Sequence, residues 1–323
     1  MFYLRKEGKN KMFHLKNTSM ATNAAITVKP ETSTKLDFEN HLSLSFPDRR
    51  IADRRIFDRR NIKKITILLP CYNEEKGLGK VIDGVPLKKL ACFGYQTEII
   101  VINNNSTDHT VKVAQEKGVK VVSEKKQGKG NAIKTGFKNI NNNTDYVVML
   151  DGDNTYKSEE ILRLIEPLEN GFCDVILGSR LEGKINDCSF SLSHRLANWF
   201  FTFFIRKFYL VNTTDTCTGY FAWKKKVVDE LAPHIKSSGF AIEVEMITKM
   251  AKLGYKIYSV PITYDRREGH SKVSPIFDGI KITWMLFKNL GWHPSFSNND
   301  INIYRKSFSK IRLEKSEESE KAK

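Results

Sequence analysis

The sequence contains no CxxC pair, and its five cysteines (Cys71, Cys92, Cys173, Cys188 and Cys217) are scattered and odd in number. That argues against a disulfide framework or a cysteine zinc site, and for a reducing cytosol as the compartment. No apolar run reaches the roughly 18 residues of a membrane span. The nearest candidate, "LANWFFTFFI", is closed by Arg206 and Lys207. The basic N-terminus lacks the apolar core and cleavage site of a signal peptide. Acids are in short supply as well: 37 Asp and Glu face 53 Lys and Arg, for a formal net charge of +16. A surface so basic expects anionic partners, whether nucleic acid, lipid or phosphorylated substrates.

What is present divides the chain by texture. Residues 1–61 show little apolar periodicity and read as a disordered basic tail, within which Asp-Arg-Arg recurs at Asp48, Asp53 and Asp58. A five-residue period advances about 140° per repeat on a helix, so these arginines would spiral instead of forming one face. From Lys64 the pattern becomes strand then helix, repeatedly: "ITILLP", "GLGKVIDGVPLKKL" broken near Pro86, "TEIIVIN", "DHTVKVAQEKG", "VKVVS", "KGNAIKTGFKNI", "YVVML", Ser158 to Leu168, and "CDVILGS". Such alternation predicts an α/β fold with a doubly wound, mostly parallel sheet and helices on both faces. Further on come a helix rich in Phe and Trp (about 194–208), a loop "VNTTDTCTGYFAW", a helix at 243–253, a strand "YKIYSVPITY" and an amphipathic helix "IFDGIKITWMLFKNL". Residues 291–323 read as a second disordered tail.

The chemistry is concentrated where strands end, which is where ligands collect in such sheets. "YVVML" stops abruptly at Asp151, Gly152 and Asp153. Two acids with a glycine between them can turn toward one point, and hard oxygens of this kind suit Mg2+ or Mn2+. The first strand exits into Pro70, Tyr72, Asn73 and Glu74, an aromatic and a carboxylate suited to stacking on a base and accepting its hydrogen bonds. The second exits into Asn103 and Asn104, with Asp108 as a helix cap. Lys129 lies between two glycines ahead of a helix, a setting that suits a phosphate.

Taken in order, "PCYNE", "NNNSTD", "GKGNAI", "LDGD" and "LGSR" resemble the family 2 glycosyltransferases of the GT-A fold. Within that family the chain is most similar to the dolichyl- and polyprenyl-phosphate sugar transferases, over about 65–290, with "TGYFAW", "GFAIEVEM" and "VPITY" included. The resemblance implies a GT-A domain over 62–290: a nucleotide-sugar half (62–180), then an acceptor half ending in the amphipathic helix (181–290). It places Pro70, Tyr72, Asn73, Glu74, Asn103, Asn104, Lys129 and Asp151 around the nucleotide. Asp151 and Asp153 become the DxD pair, with Asp153 the direct metal ligand. Relatives often carry an acid where this chain has Asn103 or Asn104; UDP stays favoured over GDP.

On the acceptor side, "DRREGHSK" fits the family pattern R-x-x-G-x-S-K through Arg266, Gly269, Ser271 and Lys272, and Arg180 takes the same phosphate-binding role. Asp215 aligns with the acid of a D-x-x-S-G pattern, either orienting the site or acting as base. The implied reaction is inverting transfer from a nucleotide-sugar to dolichyl or polyprenyl phosphate. A glycan hydroxyl or phosphoglycerate is the alternative acceptor. Phe277, Ile280, Trp284 and Phe287 on the last helix, and Trp199, Phe200, Phe201, Phe203 and Phe204 on the earlier one, are the candidates for lipid contact. The expected location is the cytoplasmic face of an anionic membrane. Because the basic repeats lie in a tail outside the core, a nucleic-acid surface is not expected.

Overall fold

The computed structural model describes residues 62–186, 192–268 and 274–294. The Asp-Arg-Arg repeat, Gly269, Ser271, Lys272 and the tail after 294 lie outside the described residues.

Seven strands form one sheet: β1 (Lys63–Cys71), β2 (Tyr95–Asn103), β3 (Lys120–Ser123), β4 (Tyr146–Met149), β5 (Val175–Ile185), β6 (Phe221–Lys224) and β7 (Ile257–Tyr264), in the order β3-β2-β1-β4-β6-β5-β7. β1 pairs in parallel with β2 and β4, β2 with β3, and β5 with β7. From β1 in mid-sheet, the first strand of the described residues, the chain runs outward to β3, then returns to place β4 on the other side of β1. The point of reversal therefore lies between the carboxyl ends of β1 and β4, where a crevice opens in folds of this kind.

β6 corrects the sequence reading. The stretch read as one loop ends in a four-residue strand, antiparallel to both β4 and β5. The strand carries no β-branched run to announce it, but Phe221 and Trp223 alternate with Ala222, and the two rings stack at 5.1 Å. β5 also crosses the boundary expected at 180/181, so strands of both halves share one sheet.

The nine α-helices of the described residues are α1 (Leu78–Gly84), α2 (Leu87–Cys92), α3 (Thr110–Glu116), α4 (Lys129–Lys138), α5 (Ile161–Glu169), α6 (Leu192–Tyr209), α7 (Lys225–Leu231), α8 (Ile242–Lys252) and α9 (Pro275–Leu290). Strand alternation sends side chains to opposite faces of the sheet. Ile65, Ile67, Leu69, Val101 and Val148 pack with Leu78, Val81, Leu90, Leu164 and Ile165 from α1, α2 and α5. Leu68, Ile102, Val147, Met149 and Trp223 pack on the other face with Phe137, Ile205, Val228, Met246 and Leu286 from α4, α6, α7, α8 and α9. Among the described residues no helix is long and apolar enough to cross a membrane.

Trp223 is fully buried and meets Phe137 edge-on at 5.7 Å. Trp223→Ala is expected to cost about 3–5 kcal/mol in chemical denaturation. Phe93→Ala, at a ring 64% exposed, should stay within about 0.5 kcal/mol of wild type.

Candidate active site

β4 delivers Asp151 and Asp153 to the reversal point. The turn between them is tight against β1: a Cβ on Gly152 would lie 2.5 Å from Cys71 Sγ. Asp153 is almost fully buried, and its Oδ1 accepts from the Thr155 amide (3.1 Å) and hydroxyl (2.6 Å). Its Oδ2 faces Arg267 Nε at 3.2 Å. The same guanidinium donates from Nη2 to Glu74 Oε1 at 2.7 Å. Arg267 thus joins the loop after β1 to the turn after β4. It stands beside the predicted Arg266, which is exposed.

Asp151 is met from the other side. Lys129 Nζ lies 2.7 Å from Asp151 Oδ1 and 2.8 Å from Glu243 Oε1. Burial alone would drive this ammonium toward its neutral form. Asp151 and then Glu243 outweigh that and raise its pKa above the ordinary lysine value. Glu243 is raised above the ordinary carboxylate range by burial, with Lys129 only partly offsetting it.

The glycines around Lys129 have a structural cause. Cβ atoms on Gly128 and Gly130 would lie 2.2 Å from Ser238 O and 2.3 Å from Ser237 O. The amides of Gly130 and Asn131 donate to Ser238 O (2.9 and 3.3 Å). The first turn of α4 therefore receives a backbone carbonyl, and Lys129 reaches carboxylates. Glu245 holds the same loop, accepting from the Lys236 and Ser237 amides (3.0 and 2.7 Å).

The other predicted nucleotide residues surround this centre. Pro70 and Tyr72 are half-buried at the exit of β1. Asn73, at φ 54°, accepts from the Thr107 amide at 2.8 Å. The buried Glu74 donates its amide to Thr110 Oγ1 at 2.9 Å. Asn103 accepts from the Ser106 amide (3.0 Å). Asn104 donates to Lys126 O (2.8 Å) and accepts from the Gly128 amide (2.7 Å). Asn104 thus fastens two loops together, while the Asn103 bond is local to its own turn. Asp108 accepts from the Thr110 amide (2.9 Å), but the N-cap position of α3 falls to His109, one residue after the cap expected from the sequence.

Arg180 and Asp215 form one buried unit. Asp215 Oδ2 accepts from Arg180 Nε (2.7 Å) and the Arg180 amide (3.0 Å), and Oδ1 accepts from Arg180 Nη2 (2.9 Å) and Asn198 Nδ2 (2.7 Å). Arg180 also lies over the Tyr264 ring, 5.3 Å from its centroid. Burial opposes charge on both partners, but their attraction wins: Asp215 stays below the ordinary carboxylate value and Arg180 above its own. A carboxylate so held is a poor proton acceptor, which favours the orienting role over the base. Arg180 engages this acid, whereas the sequence reading gave it to a phosphate.

Sequence reasoning missed Arg267 and Glu243. Arg267 lies one residue beyond the arginine that the R-x-x-G-x-S-K motif singles out, so the motif carried no signal for it. For Glu243 the available signal was an acid inside the apolar run "GFAIEVEM".

The Glycosyl transferase family 2 model matches residues 66–232, just over half of the 323-residue chain. The chain is 29% identical over 246 residues to the low-salt glycan biosynthesis hexosyltransferase Agl6 of Haloferax volcanii, covering 74% of this chain but only 58% of that relative. It is 31% identical over 220 residues to glycosyltransferase AglJ of the same organism, covering 67% and 68%. It is 28% identical over 224 residues to the undecaprenyl-phosphate mannosyltransferase of Micrococcus luteus, covering 65% and 88%. Among solved structures it resembles glucosyl-3-phosphoglycerate synthase of Mycobacterium tuberculosis, in complex with Mn2+, UDP and glucosyl-3-phosphoglycerate. That likeness has TM-score 0.54 and 20% identity, over 72% of this chain and 81% of the other, and speaks for the fold.

Asp215→Ala would leave the Arg180 charge buried without its acid, and is expected to cost about 3–5 kcal/mol in denaturant titration. Because the folded pKa of Asp215 is depressed, the pair's stabilisation is fully present above the unfolded value of about 3.9. It is lost as pH falls through the lower folded value, so wild type and variant should converge in acid.

Proposed function

This chain belongs to glycosyl transferase family 2 and is a glycosyltransferase, and from that premise we propose that it moves a hexose or N-acetylhexosamine from a UDP-sugar to a polyprenyl phosphate of the dolichyl type. The observation that carries the donor side is the acid pair at the reversal point, facing the Tyr72–Glu74 loop. Asp151 and Asp153 each already face a cation, Lys129 and Arg267. The turn is thus built to hold positive charge. Two carboxylates plus diphosphate oxygens are a donor set that Mg2+ or Mn2+ accepts, so the residues fit a divalent ion. Asp153 and Asp151 would hold it, and it would neutralise charge on the departing diphosphate.

The acceptor side follows from proton chemistry. A phosphate monoester has its second pKa near 6, so it arrives at neutral pH largely as a dianion and needs no general base. Its oxygen attacks the anomeric carbon in line as the bond from that carbon to the diphosphate oxygen breaks, with inversion. The saturated, charged Asp215 suits a reaction of this type. A hydroxyl acceptor would need a base that Asp215 is poorly placed to be. Arg266, exposed on the segment that adjoins the acid turn, is the cation for the acceptor phosphate. Asp265 and Glu268 on either side of the two arginines bond through their amides to Thr155 O (2.9 Å) and Asp153 O (3.3 Å). The sequence motif assigns Ser271 and Lys272 to the same phosphate.

A polyprenyl acceptor lies in a bilayer, which gives the exposed aromatics a purpose. Trp199 (61%), Phe200 (45%) and Phe203 (54%) on α6, with Phe277 (70%), Ile280 (62%), Trp284 (57%) and Phe287 (56%) on α9, face solvent. The two helices share one apolar groove, lined among others by Leu196, Trp199, Phe200, Ile280, Trp284 and Phe287. Lys288 sits 4.4 Å from the centroid of the Trp284 ring. Aromatics beside basic groups are the composition of a helix pair lying in the plane of an anionic, cytoplasm-facing membrane.

Two experiments test this. From a panel of radiolabelled UDP- and GDP-sugars, a UDP-sugar should transfer label to polyprenyl phosphate in the lipid extract, with little or none to the dephosphorylated polyprenol. Asp153→Asn should lower that transfer roughly a hundredfold or more while the protein stays folded. Equal use of the alcohol, or full activity in excess EDTA, would overturn the acceptor or the metal assignment respectively. In the second, the full chain should co-sediment with anionic vesicles, less so at high salt. Trp199→Ser combined with Trp284→Ser should weaken the association roughly tenfold; unchanged partitioning would remove the membrane argument.

A further inference from the structure

The two cations facing the acid pair are not equivalent. Lys129 is 13% exposed, and α4 is pinned by the Gly128 and Gly130 contacts with the 237–238 backbone. Its ammonium has carboxylates on both sides, Asp151 and the deeply buried Glu243. Lys129 is a fixture. Arg267 is 28% exposed and stands at the near end of a segment leading away from β7. Its Nη2 makes one good bond, to Glu74, while its enclosed Nε is 3.2 Å from Asp153 Oδ2 without the alignment of a hydrogen bond. Geometry of that sort is attraction by charge more than by directed bonding.

The acids that share Arg267 have different assignments. Asp153 is the proposed metal ligand, and Glu74 belongs to the loop proposed for the nucleoside. One delocalised positive charge therefore occupies the mouth of both subsites at once. A divalent ion brings twice the charge in a compact form and takes carboxylate oxygens directly. We propose that Arg267 is a tethered counter-ion, holding Glu74 and Asp153 in register until a divalent cation replaces it at Asp153. This rests on the metal assignment above and deepens it. Replacement at Asp153 also loosens the guanidinium from Glu74, so arrival of the metal releases a side chain of the nucleoside loop. Metal and nucleotide then favour each other's binding through one arginine.

Direct Mn2+ binding tests this without turnover. Free Mn2+ is followed by electron paramagnetic resonance as it is titrated into the full chain, with and without UDP. Without nucleotide, Arg267→Gln should bind Mn2+ roughly three- to tenfold more tightly than wild type, the range expected for relief from a half-exposed ion-pair competitor. In the same variant, the factor by which UDP improves Mn2+ binding should shrink. Arg267→Lys, with one ammonium and no fork, should fall between the two, and it serves as the second variant if the glutamine form folds poorly. Lys80→Gln removes a nearby cation that pairs with Glu268 at 2.8 Å and touches neither acid in the contacts above, so its Mn2+ affinity should change less than about twofold. Unchanged or weaker Mn2+ binding in Arg267→Gln, with wild type binding measurably, would overturn the role of Arg267 and leave the metal site standing. An equal gain in Lys80→Gln would reduce the effect to general field and also overturn it. No Mn2+ binding by any form, even with UDP, would overturn the metal assignment and this inference together.

Discussion

Two carboxylates at the end of a buried strand need positive charge, and much of the polar interior is arranged to supply it. β4 is buried throughout, so Asp151 and Asp153 emerge from an apolar layer, where an unpaired charge would be very costly. Lys129 answers one acid and Arg267 the other. Each cation then needs a second acid, and Glu243 and Glu74 provide it. Four acids and two bases from separate parts of the chain thus depend on one turn. The glycines follow from the same need, because α4 can carry Lys129 to Asp151 only if its first turn lies against the 237–238 backbone.

This explains which parts of the molecule were legible in the sequence. Short apolar, β-branched runs and helices with a period near four announce themselves, and β1 to β5, the interruption at Pro86 and α9 lie where that patterning places them. β6 does not: β3 and β4 are as short, but their β-branched apolar runs stand out, whereas Phe221–Lys224 closes a long polar loop and runs directly into α7. The acid pair was legible because a strand that ends in Asp-Gly-Asp is an unusual local sequence. Its counter-ions were not. Lys129 reaches Asp151 through a tertiary contact, and Glu243 joins Lys129, and Arg267 joins Asp153, only across more than a hundred positions. Local pattern cannot distinguish a lysine waiting for a phosphate from one already between two carboxylates. The arginine pair makes the same point at a spacing of one residue: Arg266 fits the motif and is exposed, while Arg267 turns inward.

Asp215 illustrates how environment assigns a role that residue type leaves open. As a lone aspartate it was a candidate base or an orienting group. In the fold it accepts Arg180 bidentately, a backbone amide and an asparagine amide, and its charge is favoured over its protonated form. Chemistry that asks a carboxylate for proton transfer wants the opposite, a pKa lifted toward neutrality. The arrangement is therefore consistent with an acceptor that is already anionic, and the demand moves from removing a proton to holding two anions near each other.

The same unit is one residue away from the aromatic surface. On α6, Asn198 is buried at 2% exposure and donates to Asp215, whereas the adjoining Trp199 is 61% exposed. About two turns of that helix divide cleanly, with Phe201, Thr202, Phe204 and Ile205 inward and Trp199, Phe200 and Phe203 outward. α9 packs beside it through the contact of the inward Phe204 with Phe287 at 4.9 Å, and its exposed Ile280 and Trp284 extend the outward face. A helix with an amide on the buried arginine–aspartate unit and indole and phenyl rings on solvent is a rigid strut between the two. In the proposed reading, what the bilayer fixes is therefore not a remote anchor. It is the helix that orients Asp215, and through Asp215 the Arg180 guanidinium over Tyr264, on the acceptor side of the site.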